Sequence, residues 1–129
     1  VLSGKIEMEI AHLPAEEAAD FLQDLGVDVS ARERVIKESY ELLGLISFLT
    51  VGEDEVRAWT VPKGIAAQAA AGKIHTDLER GFIRAEVISC GDFLDAGSLA
   101  AARTKGLLRL EGKTYVVQDG DIIDFRFSV

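Results

Sequence analysis

The order of apolar patterns along the 129-residue chain predicts an α+β fold, a mixed sheet curled around one helix with a short helical segment in front of it. The first 44 residues place apolar side chains at helical spacing. Residues 45–62 hold two runs of β-branched and aromatic residues separated by a turn, and an alanine-rich stretch then divides them from a tail that returns to strand patterns. The expected division is therefore a helical segment over 1–44 and a sheet domain over 45–129.

Residues 14–25, PAEEAADFLQDL, open on Pro14 at a first-turn position and put acidic side chains where a helix N-terminus favours them. Ala18, Phe21, Leu22 and Leu25 form one apolar stripe, and Gly26 closes the helix. Ser30 and Glu33 have the spacing of a capping box that starts a second helix. Val35, Ile36, Tyr40 and Leu43 are its expected buried stripe, and Gly44 its end. LISFLTV and VRAWTVP, joined by the turn-forming GEDE, predict a hairpin. Pro62, Lys63 and Gly64 break the second strand, and IAAQAAAG is expected to be a helix ended by Gly72. Thr76 and Glu79 repeat the capping-box spacing, so HTDLERG is expected to add one turn. FIRAEVIS is the third strand, with Phe82, Ala85, Val87 and Ser89 as its inward positions. GDFLDAGSLAAARTKG reads as loop and short helix capped by Ser98, before strands at LLRLEG, KTYVVQ and DIIDFRFS with turns at Gly112-Lys113 and Asp119-Gly120. This order is the plan of a ubiquitin-like β-grasp.

Composition narrows the function classes. With 48% hydrophobic and 28% charged residues the chain has the make-up of a folded globular protein, and no apolar segment approaches the roughly 20 residues that span a bilayer, so no membrane role is expected. A single cysteine, Cys90, excludes an intramolecular disulfide and a cysteine-built zinc cluster, which fits a reducing, cytoplasmic setting. The chain opens on Val1-Leu2-Ser3 with neither an initiator Met nor a secretory leader, so it is expected to be an internal piece of something longer. The net charge of −8 opposes nonspecific adhesion to phosphate backbones. The acids crowd the first third (Glu7, Glu9, Glu16, Glu17, Asp20, Asp24, Asp28), whereas Arg80, Arg84, Arg103, Lys105, Arg109, Lys113 and Arg126 lie in the last half, where a nucleic-acid face would have to be.

Catalytic machinery is not assembled by any spacing in the chain. Ser3-Gly4-Lys5 contains a Gly-Lys pair but lacks the upstream glycine and the following hydroxyl residue of a phosphate loop. His75, Thr76 and Asp77 could suggest proton transfer, yet adjacent residues rarely face one another, and the capping reading is preferred. His12 reads as a surface residue, Trp59 as core, and Cys90 as a packed small residue. Arg57, Arg80 and Arg84 either neutralise phosphates or pair with Glu55, Glu79 and Glu86. No metal site is expected.

The run VRAWTVPKGIAAQAAAGKIHTDLERGFIRAEVIS, followed by LRLEGKTYVVQDGDIIDFRFSV, closely resembles the C-terminal TGS domain of the YchF family of Obg-like ATPases. The likeness combines the RAWT strand, the AAGKIHTD-x-E-x-GFIRAEV block and the EGK-x-Y-V-x-DGD ending over the last two-thirds of the chain. ERVIKESYELLGLISFLTVGEDEVRAW resembles the family's approach to that domain, and SGKIEMEI its serine-alanine-lysine segment, with Gly4 in place of alanine. The resemblance implies that residues 1–44 are a helical remnant and linker of a missing nucleotide-binding domain. Ser3, Gly4 and Lys5 would then be a remnant of its base pocket. It implies a ribosome-associated parent that uses ATP and magnesium, GTP being the lesser substrate, with no cofactor held by this piece itself. The ribosome or its RNA and the missing domain are the implied partners, and Arg57, His75, Thr76, Asp77, Arg80, Arg84 and Arg109 are the positions expected to face them. The competing expectation is an intramolecular element that regulates the parent's ATPase without touching RNA.

Overall fold

The structure, a computed structural model, describes residues 2–27, 29–52 and 54–128. Asp28 of the acidic group and Glu53 of the GEDE turn lie outside them. The chain forms two compact units, residues 1–43 and 44–129.

The first unit holds helices α1 (Gly4–Ala11), α2 (Ala15–Asp24) and α3 (Ala31–Leu42). Ser30 caps α3 as its spacing predicts, its Oγ accepting from the Glu33 N–H at 3.3 Å. Gly26 and Gly44 follow α2 and α3 with φ of +67° and +64°, a left-handed geometry that side-chain-bearing residues resist. Helix α1 was not anticipated, and it does more than extend the segment. Both carboxylate oxygens of its Glu7 accept from the Ala31 N–H at 3.3 Å, tying α1 to the first turn of α3 beside the Ser30 cap. The expected buried stripe of α3 is a correction: Val35, Ile36 and Leu43 are 49%, 53% and 71% exposed, and Tyr40 is also exposed. Three short helices offer too little surface to cover it, and among the described residues only Ile10 and Ala31 are buried in this unit.

The second unit holds β1 (Leu45–Val51), β2 (Val56–Pro62), α4 (Ala67–Ile74), α5 (Thr76–Arg80), β3 (Phe82–Ser89), α6 (Cys90–Ala96), α7 (Leu99–Thr104), β4 (Arg109–Glu111) and β5 (Asp121–Phe127). They make one five-stranded sheet in the order β2-β1-β5-β3-β4. The central strands β1 and β5 run parallel, and every other pair is antiparallel. Helix α4 brings Ala67, Ala70 and Ala71, all fully buried, onto the face formed by Ile46, Phe48, Val61, Phe82, Ala85, Val87, Ile123 and Phe125. Phe48 meets Phe125 edge-to-face, centroids 6.0 Å apart, and Phe82 meets Phe125 at 6.1 Å. A smaller cluster on the opposite face packs Ile88 and Ile122 under Ala102, Phe93 and Leu99 of α6 and α7.

Three expectations change in detail. Gly72 lies inside α4, which runs on to Ile74, and a Cβ there would meet the Glu79 side chain of α5, so this glycine serves a close approach. KTYVVQ is no full strand. Its carbonyls at Lys113 and Tyr115 accept from the Gln68 and Ala67 N–H groups, satisfying the start of α4 where no side chain caps it, and Val117 donates to Ile65. Its sheet character reduces to one bridge between Val116 and Ala66. In β3 the odd spacing from Phe82 to Ala85 marks a bulge between Phe82 and Arg84, and Ser89 caps α6 instead of continuing the inward face. Cys90 starts α6 and is half-buried.

The aromatic cluster makes Phe48 the most consequential core position. Phe48→Ala should lower unfolding free energy by about 3–5 kcal/mol. Leu94→Ala, at a position 70% exposed on α6, should change it by no more than about 0.5 kcal/mol. Urea unfolding followed by tryptophan fluorescence checks both, and equal losses would place the core elsewhere.

Candidate functional site

Four polar groupings stand on this scaffold, and the singled-out residues are distributed among them. His75, not Thr76, caps α5: its Nδ1 accepts from the Asp77 N–H at 3.1 Å, which requires the proton of the neutral ring on Nε2. Thr76 is the exposed first residue of that helix. Asp77 takes Arg80 at 2.6 Å and lies 3.6 Å from His75 Nδ1, so His75, Asp77 and Arg80 do come together at one turn. Arg80 pairs with Asp77 instead of Glu79, and at 75% side-chain exposure the pair holds little energy, on the order of 0–1 kcal/mol.

Arg57 stacks over Trp59, its guanidinium carbon 4.1 Å from the ring centroid, and Trp59 donates through Nε1 to Thr50 at 3.0 Å. Trp59 packs against the main core, and its face is covered by an arginine of the same strand. The base-stacking role that an exposed tryptophan would offer is absent here.

Arg109 belongs to an internal network. Its Nη2 donates to the Tyr115 hydroxyl at 3.2 Å, and that hydroxyl donates to Oδ2 of Asp121 at 2.8 Å. The same oxygen accepts from the Gln118 N–H at 2.9 Å, while Arg109 stands 3.8 Å from Oδ1. Asp121 is 3% exposed, so this arrangement lets a carboxylate sit inside the domain at the start of β5. The hydrogen bond to Tyr115, with the nearby carboxylates, raises the Arg109 pKa further. Burial, and then the hydrogen bond to Asp121, pushes the Tyr115 phenol above its ordinary value.

The fourth grouping lies on the sheet face opposite α4. Glu86 accepts from Arg103 of α7 at 2.9 Å and from Arg126 of β5 at 3.4 Å, and Arg126 also reaches Asp124 at 3.1 Å. The hydrogen bond from Arg126 is the main reason the Glu86 carboxyl lies below the usual carboxylate range. Arg84 stands on this face in register with Arg126.

The seven candidate partner-facing residues therefore do not converge. Arg57 is on one edge strand and Arg109 on the other, four strand spacings or about 19 Å apart. Of Glu86, Tyr115 and Asp121, only Glu86 is named from the sequence, as a partner of Arg84, and the structure pairs it with Arg103 and Arg126 instead. The YVVQDGD block that holds the other two gives their only signal, a phenol and a carboxylate bracketing a tight turn. Gly4 and Lys5 begin α1, and Ser3 precedes it without a side-chain capping bond.

Strand order and helix placement define the class: a β-grasp module with a large apolar core on one face and a charged opposite face. The family model YchF-GTPase_C, described as "Protein of unknown function (DUF933)", matches residues 45–128, and the chain belongs to this C-terminal family of the YchF, or Obg-like, ATPases. The whole chain is 55% identical to "Ribosome-binding ATPase YchF" of Bacillus subtilis (strain 168), covering 35% of that protein. Over 98% of the chain it is 48% identical to "Obg-like ATPase 1" of Gallus gallus, covering 32%. The Schizosaccharomyces pombe YchF GTPase structure superposes on 92% of the chain and 31% of its own, with a TM-score of 0.77 and 37% identity. The chain thus spans about a third of the length of the relatives it matches. Among the described residues, no helix is long and apolar enough to cross a membrane, and no three His, Cys, Asp or Glu residues group to hold a metal ion.

The Tyr115 network yields a pH prediction. Its raised folded pKa contributes stability that is fully present below the unfolded value, about 10, and is lost as pH rises through the folded one. Tyr115→Phe should cost about 1–3 kcal/mol at neutral pH, by leaving Asp121 short of a donor, and should flatten the alkaline fall in stability. Urea unfolding of both proteins from pH 8 to 11 measures this, and parallel curves would show that Tyr115 is not the group responsible.

Proposed function

We propose that this chain is the docking and regulatory module of a ribosome-associated, cytoplasmic Obg-like ATPase. In this reading residues 45–129 are a TGS domain that engages ribosomal RNA or protein, and residues 1–44 are the linker and remnant of the nucleotide-binding domain. ATP hydrolysis, with magnesium, belongs to the remainder of the parent protein. The observation that supports it most directly is the match across the whole chain to proteins named as ribosome-binding ATPases. The distribution of charge agrees with it. Residues 1–43 carry ten acids against four Lys or Arg, whereas residues 44–129 carry twelve acids against ten, so the acid excess that would repel an anionic partner lies mainly in the helical segment and the sheet domain is closer to neutral.

A second reading, regulation within the parent protein, is favoured by the exposed apolar stripe of α3, with Val35, Ile36 and Leu43 open in this chain. A nucleotide-binding domain seated there would cover them. The two readings separate by whether the isolated chain finds the ribosome without that domain.

Co-sedimentation of the purified chain with ribosomes over a salt series is the test. The docking reading expects retention at low salt that declines steeply as salt rises. Failure to pellet at any salt would remove it and leave the regulatory reading, to be checked by adding the chain in trans to the ATPase portion and following the hydrolysis rate.

A further inference from the structure

On the face opposite α4, helices α6 and α7 cover only the end of the sheet that carries Leu49, Val51, Ile88 and Ile122. The other end is open. The register pairs Arg84 with Arg126 and Glu86 with Asp124, so two arginines stand directly across neighbouring strands. Like charges in that position repel unless something anionic lies between or beside them. Arg126 has such neighbours in Glu86 and Asp124, and Arg103 leans in from α7 to the same Glu86. Arg84 is exposed and forms no ion pair among the described residues. The result is three arginines around two carboxylates, with one guanidinium left over, in a chain whose total charge is −8.

We propose that this open end of the outer face binds the sugar–phosphate backbone of RNA, a phosphate taking the place between Arg84 and Arg126 while Glu86 competes with it for Arg126 and Arg103. The planar guanidinium fork matches phosphate oxygens, and Arg84 is free to make that match without breaking a bond. The core aromatics Phe48, Trp59, Phe82 and Phe125 lie with the α4 face, and alternation along β5 sends the exposed Phe127 to that side too, so among the described residues no strand aromatic points from the open end toward a base. Recognition there is of the backbone and is indifferent to sequence. Arg109, on the opposite face and engaged with Tyr115, takes no part. The inference rests on the docking reading and goes beyond it in naming the ligand, the two strands that hold it, and a built-in competitor.

Anisotropy titrations of the 129-residue chain against labelled, deproteinised ribosomal RNA, repeated across a salt series, test it. Arg84→Ala should weaken binding several-fold and reduce the slope of log K against log salt by about 0.7–0.9, one phosphate contact, while Arg84→Lys keeps the slope. Glu86→Gln should strengthen binding and steepen the slope by releasing Arg126 and Arg103, a gain that a damaged fold does not produce. Arg109→Ala should lower the melting temperature and leave the slope unchanged. If the chain binds this RNA and neither Arg84→Ala nor Glu86→Gln departs from wild type, the site is elsewhere and the docking reading survives without it. Pelleting with ribosomes but not binding the deproteinised RNA identifies a ribosomal-protein partner and overturns the proposal. Absence of both kinds of binding overturns the docking reading as well.

Discussion

The seating of α4 on the sheet is the constraint on which the second unit depends. Alanines at 67, 70 and 71 remove side-chain bulk from the helix face, so the backbone can lie close to Phe48 and Phe125. That closeness has a polar cost, because a helix start sunk against a sheet cannot leave its first N–H groups to water. The 113–117 segment supplies the missing acceptors from its own backbone, at Lys113 and Tyr115. A stretch with strand-like composition is thereby drawn out of the sheet and wrapped over the helix, and its Tyr115 is delivered to Asp121. The apolar core and the buried carboxylate network are consequences of the same seating.

This explains what the sequence disclosed and what it withheld. Strands and helices whose patterns answer to local rules were legible: the LISFLTV and VRAWTVP hairpin, the Ser30 and Ser98 caps, and the β-grasp plan implied by strand, strand, helix, strand. KTYVVQ was misread because Tyr, Val and Val favour strands wherever they fall, while the demand that displaced them, the open N-terminus of α4, lies some 46 positions away. The stripe on α3 was misread in the opposite sense. Its 3.6-residue period is genuine, but periodicity states only which face seeks cover, and the two other short helices of its unit do not provide it. Of the candidate site, the sequence points to a capped turn at His75-Thr76-Asp77 but gives the cap to Thr76 and Arg80 to Glu79, whereas His75 is the cap and Arg80 pairs with Asp77. The hub at Glu86 was not visible, because Arg103 and Arg126 reach it from 17 and 40 residues away.

The arginines also show why counting basic residues along a chain gives a poor map of a binding face. Arg109 and Arg84 look alike in sequence, each an arginine in a strand of the basic half. Alternation sends their side chains to opposite faces, one toward a half-buried phenol and a buried carboxylate, the other toward solvent. Removing the first leaves Asp121 with less compensation for its burial, a loss felt by the fold. Removing the second subtracts an unpaired surface charge, which the fold scarcely registers and an anionic partner would.

Glu86 sits between these two extremes, and its position makes the charged face more than a sum of cations. A carboxylate that already accepts from two arginines holds both guanidiniums near the sheet, fixing their directions and limiting the entropy lost when an external anion arrives. It also neutralises part of their charge, so the face attracts phosphate weakly until the partner is within hydrogen-bonding distance. Such an arrangement trades long-range attraction for geometric selectivity. If the module docks on a phosphate-dense surface as proposed, the trade would suppress indiscriminate adhesion and reserve binding for a backbone that presents its oxygens to Arg84 and Arg126 together.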